Sequence, residues 1–357
     1  MNSILQDTYR NKKVFITGHT GFKGPWLIYL LQHLGAQVKG YALAPEARSL
    51  YRDMNGNQFC DSVEADICDT ERLQAEILDF QPDFVFHLAA QSLVRESYAT
   101  PFSTFQTNSL GTASLLNALR FLEKKCTSIL ITTDKVYENK EWLYPYRESD
   151  RLGGYDPYSA SKAAAEIIAN SYIQSFFNTQ FYDEHQKAFA IARAGNVIGG
   201  GDWAKDRLIP DIARALEAQE TLVLRSPQAT RPWQHVLEPL AGYLLLGAKL
   251  DLDIKTYAGA WNFGPDIKDN LTVLEVVKTA LQVWGSGDYR IEAANEKMHE
   301  ANLLRLDISK ASNTLGWQPQ YDAQTAIAKT MAWYRGYFEN PKSVIQLMQT
   351  DVNAYLK

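Results

Sequence analysis

A short apolar run, Lys13-Val-Phe-Ile-Thr17, leads straight into Gly18-His-Thr-Gly21-Phe-Lys-Gly24, and a second apolar stretch from Pro25 to Leu34 stops at Gly35. That order constrains the fold more than any other feature. The run reads as a buried parallel strand. The stretch reads as a helix with Gly35 as its stop. Glycines three apart allow a tight turn at the junction and let the backbone approach a pyrophosphate. The helix N-terminus offers that pyrophosphate free N–H groups and a favourable dipole. His19, Phe22 and Lys23 lie inside the turn and are candidate cofactor contacts with Gly18, Gly21 and Gly24. Lys23 either approaches the pyrophosphate or points to solvent. An ordinary glycine turn is the plain alternative, and its placement directly after the first strand argues against it.

The alternation continues. Strands are expected at Gln37–Leu43, Asp83–His87, Thr127–Thr132 and Ala188–Arg193, and helices at Asp69–Phe80, Phe102–Lys124 and Pro157–Phe177. This predicts an α/β chain with a doubly wound, Rossmann-type parallel sheet and right-handed crossovers. After about residue 195 the pattern changes. Gly199-Gly-Gly-Asp-Trp203 reads as a loop, Arg207–Ala218, Thr272–Trp284 and Ala323–Phe338 as helices, and Leu222–Leu224 as a short strand. Trp261–Phe263 reads as a strand returning to the main sheet. The expected division is a dinucleotide-binding part, 1–195 with returning segments near 229–264, and a smaller α/β lid, 196–228 and 265–357. An apolar content of 46% supports a core for both.

A net charge of −5 favours neither nucleic acid nor a membrane surface as partner. No uncharged apolar run reaches the ~18 residues of a membrane span, and the first residues do not resemble a signal peptide. Three cysteines without metal-ligand spacing fit a cytoplasmic chain with no metal site.

Tyr158 and Lys162, four residues apart, share one helix face. Such a pair can take a hydroxyl proton while a nicotinamide takes the carbon-bound hydride. Thr133-Asp134-Lys135, at the end of an apolar strand, adds a second acid/base set. Oxidation alone needs only the first set, so the second suggests further chemistry, such as elimination. Asp66 and Ile67 follow a strand where an acid can bond an adenine amine, and Leu88-Ala89-Ala90 is small enough for close cofactor approach. The second strand ends Tyr41-Ala-Leu-Ala-Pro45, with no acid for an adenosine ribose. Arg48 either meets a 2′-phosphate or is a surface residue, so this strand leaves NAD and NADP open.

Taken together these residues resemble the extended short-chain dehydrogenase/reductase family of nucleotide-sugar-modifying enzymes, over nearly the whole chain. Arg193-Ala-Gly-Asn196, Leu208-Ile-Pro210, Arg231-Pro-Trp-Gln-His-Val236 and Asn262-Phe-Gly264 extend the likeness. Within the family the pattern is most similar to the 4,6-dehydratases acting on CDP-glucose. Gly18-His-Thr-Gly-Phe-Lys-Gly24, Thr133-Asp-Lys-Val-Tyr137 and Gly199-Gly-Gly-Asp-Trp203 carry that closer match. Dehydratases acting on dTDP-glucose have Asp-Glu in place of Asp134-Lys135.

The resemblance implies NAD as cofactor, with Thr132 and Arg193 among its contacts. It also implies conversion of CDP-D-glucose to CDP-4-keto-6-deoxy-D-glucose plus water, in 3,6-dideoxyhexose and O-antigen synthesis. Tyr158 would take the O4 proton, aided by Lys162, and Thr133 would orient O4. Asp134, protonated, would donate to the departing C6 hydroxyl. Lys135 would remove the C5 proton as a neutral base or stabilise an enolate as a cation. At the nucleotide end Arg231 is the candidate diphosphate ligand, with Arg225 and Arg305 weaker ones. Asn196 is a candidate for a phosphate or sugar oxygen. Leu208 and Val223 either sandwich the pyrimidine or belong to the core. A homodimer is implied through the Phe102–Lys124 and Pro157–Phe177 helices, with Leu115, Leu116, Leu119, Ile167 and Ile168 at the contact or in the core. Whether dimers pair into a tetramer is left open. Other readings compete: another nucleotide-sugar 4,6-dehydratase, a nucleotide-sugar 4-epimerase, which needs only Tyr158, Lys162 and Thr133, and a redox-inert NAD-binding regulator on the same fold.

Overall fold

The computed structural model describes residues 2–224, 226–267, 269, 271–292 and 303–357. Its centre is a seven-stranded sheet. In chain order the strands are β1 (Lys13–Thr17), β2 (Gln37–Ala42), β3 (Asp61–Glu64), β4 (Phe84–His87), β5 (Cys126–Ile131), β6 (Lys187–Ala194) and β7 (Gly259–Phe263). Their spatial order is β7-β6-β5-β4-β1-β2-β3, and every pairing is parallel. Helices cover both faces, so the inner strands are largely apolar and buried. Val14, Phe15 and Ile16 are fully buried, as is all of β6.

The order of winding reverses between β1 and β4. A crevice is therefore expected beyond their carboxyl ends. The glycine turn after β1, Leu88–Ala90 after β4, Thr132–Lys135 after β5 and Gly195-Asn196 after β6 all follow these ends.

The expected Phe102–Lys124 helix is three pieces, Pro101–Phe105, a π-helical turn Gln106–Leu110, and Gly111–Arg120. The interruption has identifiable causes. A Cβ on Gly111 would lie 2.6 Å from Ile67 Cγ2, so the helix meets the turn after β3 at close range. Within the π turn Asn108 bonds Ser161 Oγ (2.8 Å) and the Gln91 carbonyl (3.0 Å).

Among the described residues, three helices of eight or more residues carry no matching expectation: Asn2–Tyr9, Leu237–Leu252 and Val344–Tyr355. Leu237–Leu252 is buried on nearly every side, so it lacks the one-sided period that marks a surface helix. Tyr9 Oη donates to the Leu244 carbonyl (2.8 Å), docking the first helix on this later one.

Gly199-Gly-Gly-Asp-Trp203 is a packing junction between the two halves. A Cβ on Gly200 would lie 1.9 Å from Trp333 Cδ2, and Gly201 has φ +79° with Leu50 beside it. Trp26 Nε1 donates to the Gly200 carbonyl (3.0 Å) and Tyr334 Oη to that of Asp202 (2.5 Å). Among the described residues no helix is long and apolar enough to cross a membrane.

Candidate active site

The glycine turn is a tight cradle. Gly18 has φ +75°, and a Cβ there would lie 2.6 Å from the Ala89 nitrogen; one on Gly24 would lie 2.1 Å from the His19 carbonyl oxygen. Only glycine fits at either place. Gly21 meets nothing nearer than 3.5 Å, so its outer side stays open. The Lys23–His33 helix starts here, aiming its N-terminal N–H groups outward. The small residues Ala89 and Ala90 leave the backbone accessible opposite it. These features fit a dinucleotide pyrophosphate.

His19 departs from its expected role at the side chain. Its ring is fully buried, bonds Ser62 Oγ through Nε2 (2.7 Å) and stands edge-on to Tyr51. Burial pulls it down to about 4. It bolts the turn to β2 and β3, filling space that Gly40 leaves free. Asp66 is exposed and accepts from the Cys68 nitrogen (2.9 Å), while Ile67 is buried against Gly111. Arg48 lies over the Trp203 ring at 3.7 Å and pairs with Glu217 at 3.3 Å, so its charge is taken up by the second half of the chain.

Asp156 caps the Pro157–Phe176 helix, accepting from Ser159 N (2.9 Å) and Oγ (2.6 Å), and so fixes where Tyr158 and Lys162 sit. Both are buried. Lys162 Nζ donates to the Ile131 carbonyl at the end of β5 (2.9 Å). Next in that chain segment, Thr133 caps a short 3₁₀ turn; its Oγ1 donates to Asp134 Oδ1 (2.9 Å) and lies within hydrogen-bonding reach of Tyr158. Thr133, Asp134, Tyr158 and Lys162 therefore converge, and the Lys135 backbone is tied to them through Thr133 Oγ1 (3.4 Å).

Burial dominates the electrostatics. It pushes Tyr158 up to about 12 and Lys162 down to about 8, Glu166 opposing the latter. It raises Asp134 against the pull of Lys135, Thr133 and Arg231. A raised carboxyl is better suited to donating a proton than an ordinary one. Lys23 turns inward rather than to solvent. The side chain as a whole is half-buried, but its ammonium is enclosed, 3.3 Å from Tyr243 Oη. Burial, then Arg207 and Lys162, bring it down to about 7, opposed by Asp134.

Arg193 has other partners than expected. Its Nη2 pairs with Glu166 at 2.5 Å and its Nη1 donates to Tyr137 Oη (2.7 Å) and the Glu148 carbonyl (3.1 Å). The side chain is 3% exposed, so it braces the core rather than reaching into the cradle. Thr132 likewise donates to Glu166 (2.6 Å).

On the substrate side, Arg305 lines a small cleft with Gly195, Pro232, Leu306 and the 264–267 turn, and its buried Nε has no protein partner. A Cβ on Gly195 would lie 3.0 Å from Asp134 Oδ2, so this cleft opens beside that carboxyl. Arg231 sits on the neighbouring Thr230–Arg231 strand. Asn196 is half-buried, its carbonyl accepting from Gln234 N (3.1 Å). Leu208 packs half-buried on the main core, and Val223 is 37% exposed. Arg225 lies outside the described residues.

Two site residues have no counterpart in the sequence reading. Arg207, between Asp202 Oδ2 (2.9 Å) and Ser92 Oγ (3.3 Å), projects its charge onto Tyr158 and Lys23. Its place directly before Leu208-Ile-Pro210 is the signal that could have found it. Tyr243 comes from the Leu237–Leu252 helix, which had no visible period.

A sequence model of the family described as GDP-mannose 4,6 dehydratase matches residues 15–330. The chain belongs to that family. Its members are lyases that remove water from nucleotide sugars, and family membership gives this chain the same reaction class. The chain is 44% identical over 343 residues to a CDP-glucose 4,6-dehydratase of Salmonella typhimurium, covering 96% of each. It is 28% identical over 280 residues to a dTDP-glucose 4,6-dehydratase of an Actinoplanes strain, covering 76% of this chain and 79% of the other. The fold matches DesIV, a dTDP-glucose 4,6-dehydratase from Streptomyces venezuelae solved with NAD and TYD bound. The TM-score is 0.78 at 24% identity, over 92% of this chain and 99% of that one.

Proposed function

We propose that this dehydratase acts on CDP-D-glucose, with NAD held in the glycine cradle, and releases CDP-4-keto-6-deoxy-D-glucose and water. The observation that carries the reaction is Asp134: a buried carboxyl, raised by its surroundings, bonded to Thr133 and gathered with Tyr158. A 4-epimerase has no use for such an acid. Identity to the Salmonella enzyme supports CDP-glucose as the substrate. NAD rather than NADP is favoured by Arg48, which Trp203 and Glu217 engage.

In this reading Thr133 and Tyr158 bracket the sugar O4. Burial holds the phenol proton, so the Lys162 cation is needed to make Tyr158 an effective base at O4. When bound, NAD supplies hydride acceptance at C4 and hydride return at C6. A ketone at C4 acidifies the C5 proton, which either Lys135 takes as base or another group takes while the Lys135 cation balances the enolate; a proton returns to C5 when hydride reaches C6. Asp134 gives its proton to the C6 hydroxyl as water departs. Arg207, Arg231 and Arg305 surround the path of the diphosphate, as guanidinium geometry suits, with Asn196 on a sugar or phosphate oxygen.

The two-part division at residues 195, 229–264 and 265 is kept as part of this reading, as are a cytoplasmic setting, which the free Cys60, Cys68 and Cys126 suit, and a role in dideoxyhexose supply. A homodimer is favoured by the apolar exposure of Phe102, Leu110, Ile167 and Phe176 on the two long helical segments.

Purified chain with NAD, offered CDP-glucose, dTDP-glucose, UDP-glucose and GDP-mannose separately and read by mass spectrometry, tests the proposal. Loss of one water from CDP-glucose alone is the expected result. Water loss from another sugar instead would overturn the substrate, and unchanged mass with inverted C4 would overturn the reaction.

A further inference from the structure

Glu166 is fully buried one helical turn beyond Lys162, and the chemistry above does not use it. Its carboxylate accepts from Thr132 Oγ1 (2.6 Å), from Arg193 Nε (3.0 and 3.1 Å) and from Arg193 Nη2 (2.5 Å). Those donors come from the ends of β5 and β6, the two segments that continue into Thr133-Asp134-Lys135 and Gly195-Asn196. A small pocket is lined by Lys162 and Glu166 together with His87, Thr112 and Thr132. The lysine and the carboxylate, both buried, therefore border the same space, and charge acts at longer range among buried groups than in water.

We propose that Glu166 is a positioning residue for the Tyr158–Lys162 pair, anchored by Arg193 and Thr132 so that its carboxylate keeps Lys162 cationic and ready to serve Tyr158. The proposal rests on the dehydratase reading for its assay. A structural ion pair alone would sit as well anywhere in the core; this one occupies the wall of the lysine's own pocket. It also gives the buried Arg193 a purpose, since a lone carboxylate at that depth would be costly.

Other charges face Lys162. His87 on β4 is held between Thr17 Oγ1 (2.7 Å) and Thr112 Oγ1 (3.0 Å), and burial brings it down to about 3, so it stays neutral through the useful range. Lys23 from the glycine turn is a second cation, and Arg193 on β6 a third. Asp134, beyond the end of β5, and Tyr158 on the same helix complete the set. Glu166 is the anion among them that adjoins the lysine's pocket wall.

The test is the pH profile of kcat with CDP-glucose for the wild type, Glu166→Gln, and the double variant Glu166→Gln/Arg193→Met, which removes both charges and leaves none buried alone. Loss of a negative charge favours the deprotonated form of every neighbour, so both limbs of the Glu166→Gln profile should move to lower pH, by about one unit; in the double variant the lost Arg193 cation partly offsets this, and the limbs should move the same way by less. A lower plateau with limbs at wild-type positions, in whichever variant folds, would overturn the proposal and leave Glu166 a brace. Lys23 titrates in all three proteins, so only shifts between them count. If the wild type dehydrates none of the sugars, the substrate reading fails separately. The inference is then read from phenolate absorbance against pH, each protein minus its Tyr158→Phe counterpart. Tyr158 should ionise at lower pH without Glu166; an unmoved titration would overturn it.

Discussion

At the scale of single residues, Tyr158 and Asp134 ought to fail in different ways. Tyr158→Phe removes the base at O4 and should lower kcat by about 10²–10⁴-fold with KM little changed, since the phenol is one contact among many. Asp134→Asn keeps the bond to Thr133 but cannot donate an acidic proton. Its water loss, followed by mass spectrometry, should fall by a similar ~10²-fold or more, while a single-turnover experiment still shows C4 oxidation as a rise in reduced-cofactor absorbance. Equal loss of both signals would mean that Asp134 acts before elimination. These residues were legible in the sequence because each set lies within one short element, where spacing alone fixes geometry. Arg207, Tyr243 and Glu166 were not. Their surroundings are formed where separate elements meet, and the partners of Arg193 were hidden for the same reason: Glu166 and Tyr137 stand on other segments.

Elements show the same division. Strands β1 and β6 announced themselves as apolar runs because a parallel sheet hides both faces. The Leu237–Leu252 helix was illegible because burial on nearly every side erases periodicity. The break at Gln106–Leu110 ends at Gly111, which meets Ile67, a residue some forty positions earlier. Glycine carries the tightest of these meetings. Gly200→Ala would push a methyl to 1.9 Å from Trp333 Cδ2. Urea denaturation should show it less stable by about 1–3 kcal/mol or more, with the junction between the halves loosened. An unchanged midpoint would mean that the Trp333 ring can move aside freely.

Across the whole molecule, three buried histidines on different elements set the response to acid. Burial takes His19 down to about 4 and His87 and His235 to about 3, from an ordinary 6.5. The unfolded chain thus binds protons that the folded chain refuses, so stability is full above about 6.5 and declines as pH falls through the window between 6.5 and those values. Asp351, raised to about 6, works the other way and offsets one of them. The urea midpoint should drop between pH 7 and pH 5, and a flat response would sink this account.

The docking of Tyr9 onto Leu244 also governs the order in which the molecule assembles. The first helix cannot find its seat until more than two hundred further residues exist, and β6 lacks its outer neighbour until β7 has been made. Contacts of such separation form slowly. Pulse-labelled exchange during refolding should therefore protect β1, β4 and β5 before Asn2–Tyr9. On a ribosome, Asn2–Tyr9 would be made well before the piece of chain that receives it, and would be among the last segments to settle.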